Sequence, residues 1–128
     1  MEFEPVIGLE IHARLATKTK MFCRCDNATF EAVPNTHVCE TCMGFPGALP
    51  LTNEEAVKKG VTAALALGCE IAEDSRFDRK SYFYPDLPKG FQVSQYERPI
   101  SKNGKITISR ADGSTKVIRV MRLHLEDD

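Results

Sequence analysis

The chain has 128 residues, of which 42% are hydrophobic, so it can build the core of one domain and is not a disordered polypeptide. Its 17 basic and 18 acidic residues give a formal net charge of −1, which excludes a nucleic-acid module that relies on bulk positive charge. The sequence has no apolar stretch long enough to span a membrane, and its acidic N-terminus is unlike a signal peptide, so we expect a cytoplasmic protein.

Residues 5–15 alternate between apolar and other side chains. Because successive side chains of a strand point to opposite faces, the alternation predicts a β-strand. Glu10 and His12 share one face, where their side chains would lie roughly 6–7 Å apart. The other face is predicted to be buried and carries Ile7, Leu9, Ile11, Ala13 and Leu15.

Residues 23–50 are rich in Cys, Pro, Gly and Asn and are predicted to form an irregular loop. Two close pairs of thiols, typical of a closed structural zinc site, lie in this loop. Disulfides, unconnected thiols and an iron–sulfur cluster are the alternatives. Cys69 lies outside the loop and is expected to be a small buried core residue. The four predicted zinc ligands are Cys23, Cys25, Cys39 and Cys42.

A helix is predicted over residues 53–67. Thr52 and Glu55 have the spacing of a capping box, and Gly68 suits the position just after the helix. The helix should cover the sheet with an apolar face formed by Val57, Val61, Ala64 and Leu65.

The remainder of the chain is predicted to be a run of strands near residues 70–77, 81–84, 91–96 and 115–126. Asn103-Gly104 and Asp112-Gly113 are predicted hairpin turns. The fold class is therefore α+β, with a large, mostly antiparallel sheet, one clear helix and a Cys-rich zinc loop.

His124 and Glu126 repeat on the last strand the spacing of Glu10 and His12, and Asp127 and Asp128 follow. If the two strands are neighbours, these groups converge and would suit Mg²⁺ or Mn²⁺ bound to substrate phosphates. The alternative is an ordinary solvated sheet face. Strand alternation favours Glu126 over Asp127 as a ligand, although a β-bulge would reverse that choice.

Aromatic and basic residues are interleaved between positions 76 and 98, including Lys80, Tyr82 and Lys89. Cations neutralise phosphates and aromatic rings stack on bases, so the segment suits a nucleotide or the end of a tRNA. The alternative is an aromatic core strand with solvated basic neighbours.

Three segments together resemble a known family. They are Val-Ile-Gly-Leu-Glu-Ile-His at 6–12, Phe-Asp-Arg-Lys-Ser-Tyr-Phe-Tyr-Pro-Asp-Leu-Pro-Lys-Gly-Phe-Gln-Val-Ser-Gln-Tyr at 77–96 and Arg-Leu-His-Leu-Glu-Asp-Asp at 122–128. In this order they resemble the N-terminal part of the B subunits (GatB) of aspartyl/glutamyl-tRNA amidotransferases, and the paired cysteines resemble those of the zinc-bearing members. The resemblance covers essentially the whole chain and implies the N-terminal part of a longer, kinase-like catalytic cradle.

The resemblance implies a glutamine-dependent carbon–nitrogen ligase that works with an amidase (its A subunit) and with a further small protein (its C subunit). Such an enzyme uses ATP to activate the side-chain carboxylate of Glu-tRNA(Gln) or Asp-tRNA(Asn), and ammonia then displaces the phosphate. The implied magnesium ligands are Glu10, His12, Glu126 and Asp127, although the family usually has Glu at the position of Asp127. His124 joins them as a candidate catalytic residue, and Lys80, Tyr82 and Lys89 are candidates for contacts with ATP or the acceptor end.

The same resemblance implies that these 128 residues alone lack amidotransferase activity. Two other functions are compatible with the residues: a zinc-stabilised RNA-binding module without catalysis, and a scaffold for a partner protein.

Overall fold

The computed structural model describes residues 2–28 and 30–127. They form helices α1 (Glu40–Met43) and α2 (Glu54–Ala66) and strands β1 (Glu70–Ile71), β2 (Asp78–Ser81), β3 (Phe91–Ser94), β4 (Ser101–Ser109) and β5 (Thr115–Leu123). All named strand pairs are antiparallel, in one sheet of order β1-β4-β5 and a second sheet of β2 and β3. The predicted α+β class with antiparallel pairing is confirmed, with the strands divided between two sheets. Within the described residues, none of the helices has the length and apolar character needed to span a membrane.

The N-terminal cap of helix α2 is one residue later than predicted, at Asn53 instead of Thr52. The side chain of Asn53 accepts hydrogen bonds from the backbone N–H groups of Glu55 and Ala56, at 2.9 and 3.2 Å. The prediction of Thr52 as the cap was wrong, because Asn53 already satisfies the free N–H groups of the first turn. The predicted helix end is confirmed, since Gly68 follows it with a left-handed φ of 64°.

The buried face of α2 is made of small residues. Ala56, Gly60 and Ala64 recur every four residues and are buried. The placement of Leu65 on the buried face was wrong, because its side chain is 61% exposed. A Cβ atom at Gly60 would lie 2.9 Å from Cδ2 of Leu125, so the helix packs very closely against the segment after β5. This packing fixes the backbone next to the acidic residues at the C-terminal end of the described chain.

Of the two hairpin turns predicted in the second half of the chain, the structure contains one. Asp112 and Gly113 do lie in the turn between β4 and β5, and Gly113 has a φ of 81°. The prediction at Asn103-Gly104 was wrong, because both residues lie inside β4. A Cβ atom at Gly104 would be 2.3 Å from Sγ of Cys69, so this glycine permits close packing against the buried thiol. The strand predicted near 70–77 is observed only as the two-residue β1. The strand predicted near 81–84 is displaced toward the N-terminus, since β2 ends at Ser81 and residues 82–84 have no strand assignment.

The predicted N-terminal strand is absent from the structure. Residues 5–15 have no strand assignment, and Val6, Ile7, Leu9 and Ile11 are each more than 80% exposed. A strand needs a neighbour to accept its backbone hydrogen bonds, and no described segment pairs with these residues. In its described residues, the predicted irregular loop over 23–50 is confirmed, apart from the four-residue α1.

Candidate functional site

The four loop cysteines meet at one point. Sγ of Cys42 lies 3.2 Å from that of Cys23, 3.7 Å from that of Cys39 and 3.8 Å from that of Cys25. Four sulfurs bound tetrahedrally at ~2.3 Å from a zinc ion are about 3.8 Å apart. All four are free thiols, which disagrees with the disulfide alternative, and their Sγ atoms lie within 4.8 Å of one another. The cluster could therefore hold a metal ion such as zinc.

The environment of the thiols differs from one to the next. A hydrogen bond from the backbone N–H of Cys42 lowers the pKa of Cys39 to about 7. Burial raises the pKa of Cys25 to about 11 and that of Cys23 further still. A bound cation would have to displace these protons, because metal ligation requires thiolates.

The cysteine loop is fastened to the rest of the domain. The ring of Phe22 packs edge-on against Phe77, with centroids 4.9 Å apart, and the backbone C=O of Phe22 accepts a hydrogen bond from Leu51 at 2.8 Å. Asn53, the cap of α2, donates from its side chain to both oxygens of Thr19 at 3.0 Å. The loop is therefore held against both the helix and the aromatic segment.

A second group combines carboxylates and imidazoles from the two ends of the chain. We call Glu10, His12, His124 and Glu126 the His–Glu group. His12 lies between two carboxylates, with Nε2 3.5 Å from Oε1 of Glu10 and Nδ1 3.6 Å from Oε1 of Glu126. Nε2 of His124 is 3.2 Å from Oε2 of Glu126. The structure thus brings together both pairs that the sequence singled out.

The His–Glu group is open on one side. The side chains of Glu10 and His12 are 82% and 62% exposed, whereas those of His124 and Glu126 are 21% and 19% exposed. Ser94 donates a hydrogen bond to Oε2 of Glu126 at 3.0 Å, which orients the half-buried carboxylate. Within the described residues, only the cysteine cluster brings three or more candidate ligand atoms within 4.8 Å of one another. The His–Glu group therefore offers suitable ligands for Mg²⁺ or Mn²⁺ in a looser arrangement.

Asp127 makes a different set of contacts. Its carboxylate pairs with Nζ of Lys89 and accepts a hydrogen bond from the backbone N–H of Val93 at 2.6 Å. Its backbone C=O accepts a hydrogen bond from the side chain of Gln92. The residue thus ties the end of the chain to β3. Asp128 lies outside the described residues.

Lys89 connects the two candidate sites. Its side chain is only 10% exposed, and Nζ lies 5.2 Å from the centroid of the Phe91 ring. Gly44, two residues after Cys42, lies against it: a Cβ atom there would be 2.3 Å from Cβ of Lys89. The cysteine loop therefore helps to place a cation beside the acidic residues.

The other predicted acceptor-end contacts lie on the surface. Nζ of Lys80 is 5.4 Å from the centroid of the Tyr82 ring, and both residues are exposed. Lys80 lies directly opposite Gln92 in the β2–β3 pair. Phe83 and Tyr84 are 97% and 64% exposed, so this part of the aromatic segment is not a core strand.

One residue that supports the site, Gln95, was not predicted from the sequence. Gln95 is 1% exposed, and its Oε1 accepts hydrogen bonds from the backbone N–H groups of Ile100 and Leu125 at 3.3 and 3.1 Å. It thereby fixes the residue immediately before Glu126. The polar run Gln-Val-Ser-Gln within β3 and just after it was the available signal, since buried polar side chains need partners.

Comparison with known proteins gives a consistent result. A family model described as the GatB/GatE catalytic domain matches residues 5–128. A protein from Thermotoga sp. (strain RQ2), named as the B subunit of aspartyl/glutamyl-tRNA(Asn/Gln) amidotransferase, is 57% identical over 128 residues, which is 100% of this chain and 26% of that protein. Proteins of the same name from Persephonella marina and Brevibacillus brevis are each 54% identical over 100% and 99% of the chain and 27% and 26% of their own lengths. The chain spans about a quarter of the length of these relatives.

Proposed function

Because the chain belongs to the GatB/GatE catalytic domain family, we propose that it contributes the metal-binding and ATP-binding face of the B subunit in a tRNA-dependent amidotransferase. The observation that carries this assignment is the meeting of His12 with Glu126, which brings the two ends of the chain to one position. The names of the relatives supply the reaction class.

The proposed reaction has two steps. The side-chain carboxylate of Glu-tRNA(Gln) or Asp-tRNA(Asn) attacks the γ-phosphorus of ATP, which forms an acyl phosphate and releases ADP. Ammonia derived from glutamine then attacks the acyl carbon, and inorganic phosphate leaves as the amide forms. The attacking carboxylate is already ionised at neutral pH, so no general base is needed for the first step. His12 accordingly binds metal or phosphate.

The metal site is assigned to Glu10, His12 and Glu126, with His124 supporting Glu126. A bound Mg²⁺ would neutralise charge on the ATP phosphates. We assign Glu126 over Asp127, because the carboxylate of Asp127 already pairs with Lys89 and Val93. The same ion pair holds Lys89 beside the metal site, where a bound phosphate or acceptor end would compete with Asp127 for its ammonium group; Lys80 and Tyr82 lie further out on the surface.

The cysteine cluster is assigned a structural zinc ion. Four thiolates would fill a tetrahedral coordination sphere and leave no position for substrate. The proposed role of the zinc loop is to position Lys89, because Gly44 of this loop packs directly against that residue. The proposed enzyme is completed by an amidase (the A subunit), which releases ammonia from glutamine, and by a further small protein (the C subunit).

The test uses the assembled amidotransferase with Glu126→Gln, and with Glu73→Gln as a matched control at an exposed position. Formation of Gln-tRNA(Gln) and ATP consumption that depends on Glu-tRNA(Gln) are measured together. We expect Glu126→Gln to lower both by at least about 10²-fold, because transition-state charge loses its metal, and Glu73→Gln to leave both unchanged. Full activity of Glu126→Gln would refute the assignment.

A further inference from the structure

The β4–β5 hairpin concentrates positive charge. Residues 101–123 carry six cationic side chains and one anionic side chain, a net charge of +5, whereas the whole chain has −1 and the remainder therefore has −6. Both strands are nine residues long, and the residues from 105 to 117 are all exposed. The six cations are Lys102, Lys105, Arg110, Lys116, Arg119 and Arg122.

Four of these cations form two directly opposed pairs across the hairpin, Lys102 with Arg122 and Lys105 with Arg119. Lys105 and Arg119 are directly paired in the β4–β5 register, so their side chains leave the same face of the ribbon. Like charges directly opposite each other destabilise a strand pair. Next along this face come the pairs Thr107–Val117 and Ser109–Thr115, which add hydroxyl groups. This face therefore does not stabilise the hairpin, but its cations and hydroxyl groups can bind an anionic ligand.

Most of the hairpin cations have no acidic partner in the part of the chain that the structure describes. In the described residues, Lys105, Arg110, Lys116 and Arg119 form no ion pair with a carboxylate. Five cations of other segments do form such pairs, so their charge is locally neutralised; these are Lys58, Lys59, Arg76, Lys89 and Arg98. The positive charge of the hairpin is therefore available to a partner.

The position of the hairpin relates it to the His–Glu group. Strand β5 ends at Leu123, three residues before Glu126, and its other end meets the turn at Asp112–Gly113. A nine-residue strand is roughly 30 Å long, so the ribbon leads about that distance away from the His–Glu group. A rod-like ligand lying along the ribbon would have one end at the acidic residues.

We propose that the β4–β5 hairpin binds the phosphate backbone of an RNA duplex and directs the end of that duplex toward Glu126. The inference rests on the proposed function, which supplies an RNA whose end carries the reacting group. Lysine, arginine and hydroxyl side chains are the usual partners of phosphate oxygens and do not distinguish base sequence. An acidic protein surface is the competing ligand, and the experiment separates the two.

The experiment uses the assembled amidotransferase with Lys105→Gln and Arg119→Gln combined. Lys58→Gln with Lys59→Gln removes the same charge from α2 and is the control, and Lys105→Arg with Arg119→Lys tests whether charge alone suffices. Binding of uncharged tRNA(Gln) and of an RNA stem-loop copying its acceptor arm is measured between about 50 and 200 mM salt. We expect the Gln variant to bind both about tenfold more weakly, with the slope of log K against log salt reduced by about 1–2.

The charge-preserving and control variants should bind as the unaltered enzyme does, and the Gln variant should keep its kcat at saturating tRNA. Unchanged affinity and slope in the Gln variant would overturn the proposal, and so would an equal loss of affinity in the α2 control. A Gln variant that binds RNA normally but no longer assembles with the other subunits would overturn it in favour of an acidic protein partner. So would failure of the unaltered enzyme to bind either RNA. Amidation by the unaltered enzyme, measured in parallel, tests the proposed function separately, because the stem-loop comparison does not depend on turnover.

Discussion

Gly44 lies directly against Lys89. The glycine follows α1 in the cysteine loop with a φ of 68°, and a Cβ atom added to it would meet Cβ of Lys89 at 2.3 Å. Lys89 in turn pairs with Asp127, next to the His–Glu group. One van der Waals contact thus links the proposed zinc loop to the proposed ATP site.

Gly44→Ala is expected to damage both sites. The new methyl group would be strained by the left-handed backbone and would displace Lys89, so we expect a loss of about 2–4 kcal/mol in the free energy of unfolding. Gly47→Ala is the control, since Gly47 has a φ of 82° but open space around it. Chemical denaturation of the two variants measures the difference. Equal destabilisation would show that the contact with Lys89 contributes nothing beyond backbone strain.

The cysteine cluster is expected to hold one zinc ion per chain. Cys39→Ser combined with Cys42→Ser should release the ion and lower the melting temperature, because the four-residue α1 and the irregular loop have little other support. Cys69→Ala is the matched control, since that thiol lies outside the cluster. Zinc is measured by elemental analysis of the purified protein. Retention of zinc in the double variant would contradict the assigned ligands.

The Asp127→Asn variant tests whether Asp127 stabilises the fold or binds the metal ion. The amide can still accept the hydrogen bond from Val93, but Lys89 loses its counter-charge while remaining nearly buried. We expect a stability loss of about 1–3 kcal/mol with little change in Mn²⁺ affinity. Denaturation and metal titration of the same preparation provide the two values. A loss of Mn²⁺ binding as large as that of Glu126→Gln would make Asp127 a ligand.

The cap of α2 can be tested with two adjacent substitutions. Asn53→Ala removes two hydrogen bonds to the first turn and those to Thr19, and should cost about 1–2 kcal/mol. Thr52→Ala should change stability by less than about 0.5 kcal/mol, because Thr52 is exposed and does not cap the helix. Thermal unfolding compares them. The opposite order of effects would restore the capping box read from the sequence.

Local signals in the sequence were sufficient for several elements. The helix pattern, the Asp112-Gly113 turn and the paired cysteines each depend on neighbouring residues, and the structure contains all three. Asn103-Gly104 has the same local turn signal, yet it lies inside β4, because packing against Cys69 requires a residue without Cβ. Tertiary packing of this kind is invisible to a short sequence window.

The candidate site was predictable in part for the same reason. Strand alternation grouped Glu10 with His12 and His124 with Glu126, and the structure brings the two pairs together. The alternation failed for residues 5–15 as a strand, since a strand depends on a neighbour elsewhere in the chain. The roles of Gln95 and Gly44 depend on contacts across 30 and 45 residues, so no local pattern indicates them.

The most direct test of the His–Glu group is Mn²⁺ binding to the assembled enzyme in the presence of a non-hydrolysable ATP analogue. Electron paramagnetic resonance can count bound Mn²⁺ and give its Kd for the unaltered enzyme, for Glu10→Gln, His12→Gln and Glu126→Gln, and for the Glu73→Gln control. We expect each of the three site variants to raise the Kd by about tenfold or more, because each removes a ligand, and the control to bind normally. Normal Mn²⁺ affinity in all three site variants would contradict the assignment of the metal and ATP site.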